Sequence, residues 1–206
     1  MMHRTPAALR WIFPRYEWKI NHSRPTIYLT FDDGPVPDAT LWVLNVLKKY
    51  QIKATFFCVG DNVRKHPEVF TKVINEGHAI GNHTFNHLNG WKNEQHHYIK
   101  NFERCEQIFS DLGATTNLFR PPYGKIKSSQ ANFILKTHRI IMWDLLSADF
   151  SPKISKETCL EQTLKYSRPG SIILFHDSIK TIDKLRFVLP AYLSEMKSQG
   201  YSFGLL

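Results

Sequence analysis

The chain has 206 residues, 42% apolar and 22% charged, which is the composition of a globular protein and excludes a disordered or collagen-like one. At about 150 residues per domain the length predicts one domain with at most a short appendage. Basic side chains number 27 and acidic ones 18, and the net charge of +9 favours anionic partners; no nucleic-acid motif accompanies it, so a nucleic-acid role is not expected.

Residues 1–25 form a basic, aromatic preface. Arg4, Arg10, Arg15, Lys19 and Arg24 stand against one acid, Glu17, with Leu9, Trp11, Ile12, Phe13, Tyr16 and Trp18 among them. One reading is an amphipathic segment that touches a membrane surface peripherally. The preferred reading is a strand or loop packed over the floor of the domain at 26–206, because Pro14 breaks any long helix. No apolar run approaches the about 20 residues of a membrane span. No signal-peptide stretch opens the sequence, and Cys58, Cys105 and Cys159 are odd in number and in no CxxC pair. Neither a disulfide framework nor a cysteine zinc site is expected, and the expected location is cytoplasmic or membrane-associated.

From residue 26 on, strand-like and helix-like stretches alternate. Predicted strands cover 27–31, 54–59, 78–82, 118–120, 139–143, 171–175 and 201–205, all short and rich in β-branched or aromatic residues. Asp38 is placed to cap a helix carrying Leu41, Leu44, Val46 and Leu47. Pro67 opens the next helix and Gly77 closes it. Ile99, Phe102, Cys105, Ile108, Phe109 and Leu112 make a stripe at steps of three and four over 95–112. Shorter helices fit 129–136 and 156–166, and a last one fits 183–197, where Pro190 predicts a late start or a kink. The alternation predicts an α/β fold, a closed or nearly closed (β/α) barrel of about seven parallel strands joined by helical crossovers.

Polar clusters follow the predicted strand ends. Asp32 and Asp33 are adjacent after the first strand, so their side chains diverge; one carboxylate can bind a metal while the other faces a substrate. His83 and His87 are four apart, a spacing that puts both on one face of a helical turn. That spacing alone is weak evidence, but two imidazoles and a carboxylate suit zinc or a similar divalent ion and leave positions open. Arg120 opens Arg120-Pro121-Pro122-Tyr123-Gly124 and can either pair with Asp32 or serve loop carbonyls. Trp143 and Asp149 follow the fifth strand, and Leu174-Phe175-His176 closes the sixth. In a barrel these strand ends share one face, and that face holds the active site.

The ordered set TFDDGP, HTFNH, RPPYG, Asp149-Phe150 and LFH closely resembles the NodB-homology polysaccharide deacetylases, carbohydrate esterase family 4, over about residues 26–206. The resemblance implies that the (β/α) barrel is distorted. It implies a metal held by Asp33, His83 and His87, most fittingly zinc, with cobalt or nickel as substitutes. It implies Asp32 as general base and His176 as general acid, with Arg120 positioning Asp32 and Asp149 tuning His176. The Tyr123 backbone N–H would bind the oxyanion, and Leu174 and Trp143 would line a pocket for the acetyl methyl. The implied reaction is metal-dependent removal of N-acetyl groups from a peptidoglycan- or chitin-like amino-sugar glycan. An O-acetyl glycan esterase, a cyclic-amide hydrolase and a non-catalytic glycan-binding barrel remain alternatives. Two positions depart from the family pattern: Phe150 stands where Trp is usual, and Leu146 where an Asp is often found. Oligomeric state and the particular glycan are not legible in the sequence.

Overall fold

A computed structural model describes residues 4–21 and 24–206; residues 1–3, 22 and 23 of the amino-terminal segment lie outside the described residues. The sheet grows around β1 (Thr26–Asp32), all of whose residues are buried. Side chains alternate across a strand. Ile27, Leu29 and Phe31 therefore pack in the large core under the helices, whereas Tyr28 packs with Phe57, Leu118, Ile141 and Ile172 in a second cluster inside the curl of the sheet. Asp32 has the parity of Tyr28, which places it at the mouth of that interior.

The other strands are β2 (Thr55–Cys58), β3 (Ala79–Asn82), β4 (Leu118–Phe119), β5 (Arg139–Ile140), β6 (Leu145–Leu146), β7 (Ile172–His176) and β8 (Ser202–Gly204). All pairings between them are parallel. The spatial order is β5-β4-β3-β2-β1-β7-β6, with β8 beside the start of β1. β5 and β6 are the two ends of this order, yet only residues 141–144 join them. The sheet must curl to bring these edges toward each other without pairing, and the result is the distorted (β/α) barrel. Around it lie α2 (Pro37–Tyr50), α3 (Gly60–Lys65), α4 (Pro67–Asn75), α5 (Gln95–Asp111), α6 (Ser128–Ile134), α7 (Lys156–Tyr166) and α8 (Ile182–Ser198), with α1 (Ala7–Ile12) in the amino-terminal segment.

That segment runs along the seam between the sheet edges. Glu17 pairs with Ile141, Lys19 with Ser171 and Arg4 with Leu145. Trp18 is buried with Ile140 and Met142. The fully buried Asp144 anchors the segment: it accepts hydrogen bonds from Arg10 and, at 2.5 Å, from Ser171, and pairs with Arg4 at 3.5 Å.

Three local expectations are corrected, and two short helices went unpredicted. The strand expected at 139–143 stops at Ile140, because the chain next pairs with Glu17 and returns to the sheet as β6, which two residues were too few to announce. Asp38 is not a cap: Val36 is the N-cap without a side-chain bond, and the helix starts two residues earlier, at Pro37. Pro190 neither delays α8 nor interrupts it. α1 and α3, six residues each, are too short to register as periodic. Among the described residues no helix is long and apolar enough to cross a membrane.

Candidate active site

At the carboxyl ends of the strands, Asp32 stands in register with Phe57 of β2 and His176 of β7. Arg120, just after β4, is fully buried and reaches it from across the interior. Its Nη1 donates to Asp32 Oδ1 and to Thr30 Oγ1 at 2.7 Å each, Nη2 donates to the Met142 carbonyl at 2.8 Å and Nε to the Ile141 carbonyl at 3.1 Å. The guanidinium lies over the Phe57 ring, 4.1 Å from its centroid. A buried charge needs such complete satisfaction. Of the two alternatives open for Arg120, it does both: it pairs with Asp32 and serves loop carbonyls.

Asp33, His83 and His87 converge, with one potential ligand atom from each lying within 4.8 Å of the others. Asp33 Oδ1 is 3.2 Å from His87 Nε2 and 3.8 Å from His83 Nε2. His83 Nδ1 lies 2.7 Å from the Arg120 carbonyl oxygen, which can only accept, so the proton sits on Nδ1 and Nε2 offers its lone pair to the cluster. Burial pushes His83 down to about 4, against the pull of Asp32 and Asp33, which keeps it neutral at pH 7. Burial alone would raise the Asp33 carboxyl, but the hydrogen bond to His87 and the charges of His176, His83 and His87 hold it well below the usual carboxylate range. A carboxylate and a neutral imidazole with its lone pair turned inward, joined by a second imidazole, are the donors a divalent cation of the zinc type takes.

Opposite, His176 Nδ1 is 2.8 Å from Asp149 Oδ1, and the His176 backbone N–H donates to Asp149 Oδ2 at the same distance. Burial opposes the imidazolium, yet Asp149 by charge and hydrogen bond, then Asp33 and Asp32, raise His176 to about 9. With Nδ1 engaged, Nε2 is left toward the cavity.

Of the sequence-predicted residues, Asp32, Asp33, His83, His87, Tyr123, Trp143, Leu174 and His176 line one cavity of about 600 Å³. Arg120 and Asp149 stand behind it, each touching a residue that does line it. The two departures, Leu146 and Phe150, also line it, and the Phe150 ring meets His176 edge-on at 5.2 Å. Apart from Gln51 at the end of α2, every described non-glycine residue with positive φ lies in these rim loops: Asp33, Thr84, His87, Tyr123 and Ala148. Such angles cost about 1–3 kcal/mol apiece and persist where surrounding structure imposes them.

Sequence reasoning missed the braces. Asp177 accepts from the Gly34 N–H at 3.0 Å and from Thr40 Oγ1 at 2.5 Å, and a Cβ at position 34 would collide with its carboxylate. Asn62 Nδ2 donates to the Asp33 carbonyl at 2.7 Å. It also missed Lys125 and Lys180 in the cavity wall. The adjacency of Asp177 to His176 was the one available signal; Asn62 and the lysines gave none.

A buried carboxylate and an imidazole on one cavity with a cluster of metal-type donors are groups that hydrolysis can use, and the molecule falls in the class of (β/α)-barrel hydrolases. Comparison narrows the class: the polysaccharide deacetylase family pattern matches residues 19–138, and the chain belongs to that family. It is 33% identical over 195 residues to a peptidoglycan-N-acetylglucosamine deacetylase of Bacillus cereus, covering 91% of this chain and 69% of that protein. It is also 33% identical over 204 residues to the chitooligosaccharide deacetylase of Azorhizobium caulinodans, covering 89% and 94%. The solved Bc1960 peptidoglycan N-acetylglucosamine deacetylase superposes with a TM-score of 0.90 at 32% identity, over 98% of this chain and 95% of that one.

Proposed function

We propose that this enzyme removes N-acetyl groups from amino-sugar residues of a peptidoglycan- or chitin-like glycan, with Asp33, His83 and His87 holding one divalent cation, most fittingly zinc. The observation that carries the reading is the shared space of base and donors: Asp32 Oδ2 is 3.7 Å from His83 Nε2, itself 3.8 Å from Asp33 Oδ1, with His176 on the same cavity.

When bound, the cation lowers the pKa of water toward about 7 and polarises the amide carbonyl. Asp32, one oxygen engaged by Arg120, takes the proton of the attacking water on the other. The Tyr123 backbone N–H donates to the oxygen of the tetrahedral intermediate, an interaction worth about 3–4 kcal/mol for a well-placed donor. His176, charged near neutral pH, gives its proton to the departing sugar nitrogen as the carbon–nitrogen bond breaks. Leu174 and Trp143 contribute apolar surface for the acetyl methyl. The products are acetate and a free amine, and no covalent enzyme intermediate is formed.

The test combines metal analysis with acetate release from N-acetylglucosamine oligomers, peptidoglycan and acetylated xylan. Acetate is expected from the N-acetylated substrates, and Asp32→Asn is expected to keep the metal while losing on the order of 10²–10⁴ in rate. A near wild-type rate for Asp32→Asn on every responsive substrate refutes the base assignment; release from acetylated xylan alone assigns an esterase instead.

A further inference from the structure

A second concave surface adjoins the reaction cavity. This cleft, of about 660 Å³, shares Tyr123, Lys125, Trp143 and Leu146 with it. Its far wall is built by the amino-terminal segment, through Leu9, Phe13 and Tyr16, with Trp91 also lining it. The segment is fixed there by the pairing of Glu17 with Ile141 and by Asp144.

The charges on this surface have one sign. Apart from Asp32 and Asp33 in the reaction centre, no acidic side chain among the described residues lines either cavity, whereas Lys125, Lys180, Lys127 and Arg4 do. Arg4 is committed to Asp144, at 3.5 Å, but the three lysines are largely uncommitted. Lys180 enters no ion pair among the described residues; Lys127 reaches only the exposed Glu94, at 3.8 Å; and Lys125 lies over the Trp91 ring at 5.2 Å. Aromatic faces suit the apolar faces of pyranose rings, and a row of cations in a concave wall raises the local concentration of anionic groups.

We infer that this depression receives the sugars adjoining the reacting one and selects an acetylated glycan bearing carboxylates over a neutral glycan of the same length. The inference rests on the deacetylase reading above. Trp91, Phe13 and Tyr16 take the ring faces, and Lys125, Lys127 and Lys180 take the carboxylates.

The experiment compares two substrates of matched length: neutral N-acetylglucosamine oligomers, and peptide-free peptidoglycan strands in which alternate sugars carry a free lactyl carboxylate. KM and kcat for acetate release are measured at about 0.02 M and about 0.5 M salt, the latter shrinking the Debye length to a few ångströms. At low salt the KM for the anionic strand is expected to be lower on the order of tenfold, a ratio that a few exposed ion pairs supply. The ratio collapses at high salt and in the Lys127→Glu/Lys180→Glu double variant. Trp91→Ala raises KM for both long substrates but leaves their ratio unchanged. Equal KM values at low salt, or a preference that survives both high salt and the double variant, overturn the inference. If neither substrate loses acetate, the deacetylase reading is at fault, and calorimetric titration of wild-type protein with the same two glycans decides the cleft by their affinities and salt dependence.

Discussion

His83 Nδ1 lies 2.7 Å from the carbonyl oxygen of Arg120. The guanidinium of the same arginine holds Asp32, also at 2.7 Å. One buried residue thus fixes the tautomer of a candidate ligand through its backbone and the orientation of the candidate base through its side chain.

Arg120→Lys is therefore not conservative. A lysine cannot reproduce the fork that binds Asp32, Thr30 and two carbonyls at once. Breaking this buried pair is expected to cost about 3–5 kcal/mol of stability, read from urea unfolding at neutral pH, with loss of acetate release in the fraction that folds.

Chelation offers a second test, with a thermal readout. Chelator-treated protein is expected to lose activity and regain it with added zinc. Zinc at a hundredfold excess over its Kd should stabilise the fold by about 2.7 kcal/mol, seen as a rise in Tm. Asp33→Ala should abolish that rise, since it removes the carboxylate that His87 approaches at 3.2 Å. A full rise in this variant places the ion elsewhere.

The pH dependence follows from His176. Its folded value, about 9, lies above the ordinary 6.5, so it contributes stability fully present below pH 6.5 and lost as pH rises through about 9. The reaction rate should fall over the same upper limb, as the acid loses its proton. In the metal-free protein, the imidazole resonances of His176 should titrate near 9. Asp149→Asn removes both the charge and the ionic hydrogen bond, leaving burial opposed only by Asp33 and Asp32, and should move the midpoint down from about 9. An unchanged midpoint in that variant refutes the coupling.

Asp177 makes a structural prediction. Asp177→Ala strands the Gly34 amide and the Thr40 hydroxyl in a buried place. Destabilisation of about 1–3 kcal/mol is expected from urea unfolding, with weaker zinc binding as the turn carrying Asp33 loosens.

The predicted elements and the clusters behind them were legible because they are local. A short run of β-branched and aromatic residues marks β1, a stripe at steps of three and four marks α5, and strand-end polar residues point to one rim once the strands are parallel. The same logic gathered Asp32, Asp33, His83, Arg120, Asp149 and His176, although they stand at or just beyond the ends of five different strands. Where local pattern ran out, so did the reading. β6 has two residues and exists because β7 and Arg4 offer it partners, and Asp38 lost the cap because Pro37 fixed the first turn.

Residue type and short spacing were enough for the longer strands and helices, the barrel class and the kinds of side chain at the rim. Tertiary structure alone decided which nitrogen of His83 carries its proton, what braces Gly34, and that the amino-terminal segment closes the seam and extends the cavity with Lys125 held in common. Those features depend on contacts between residues far apart in the chain, such as Glu17 with Ile141 and Gly34 with Asp177. Their partners are chosen by the curl of the whole sheet, which no local pattern encodes.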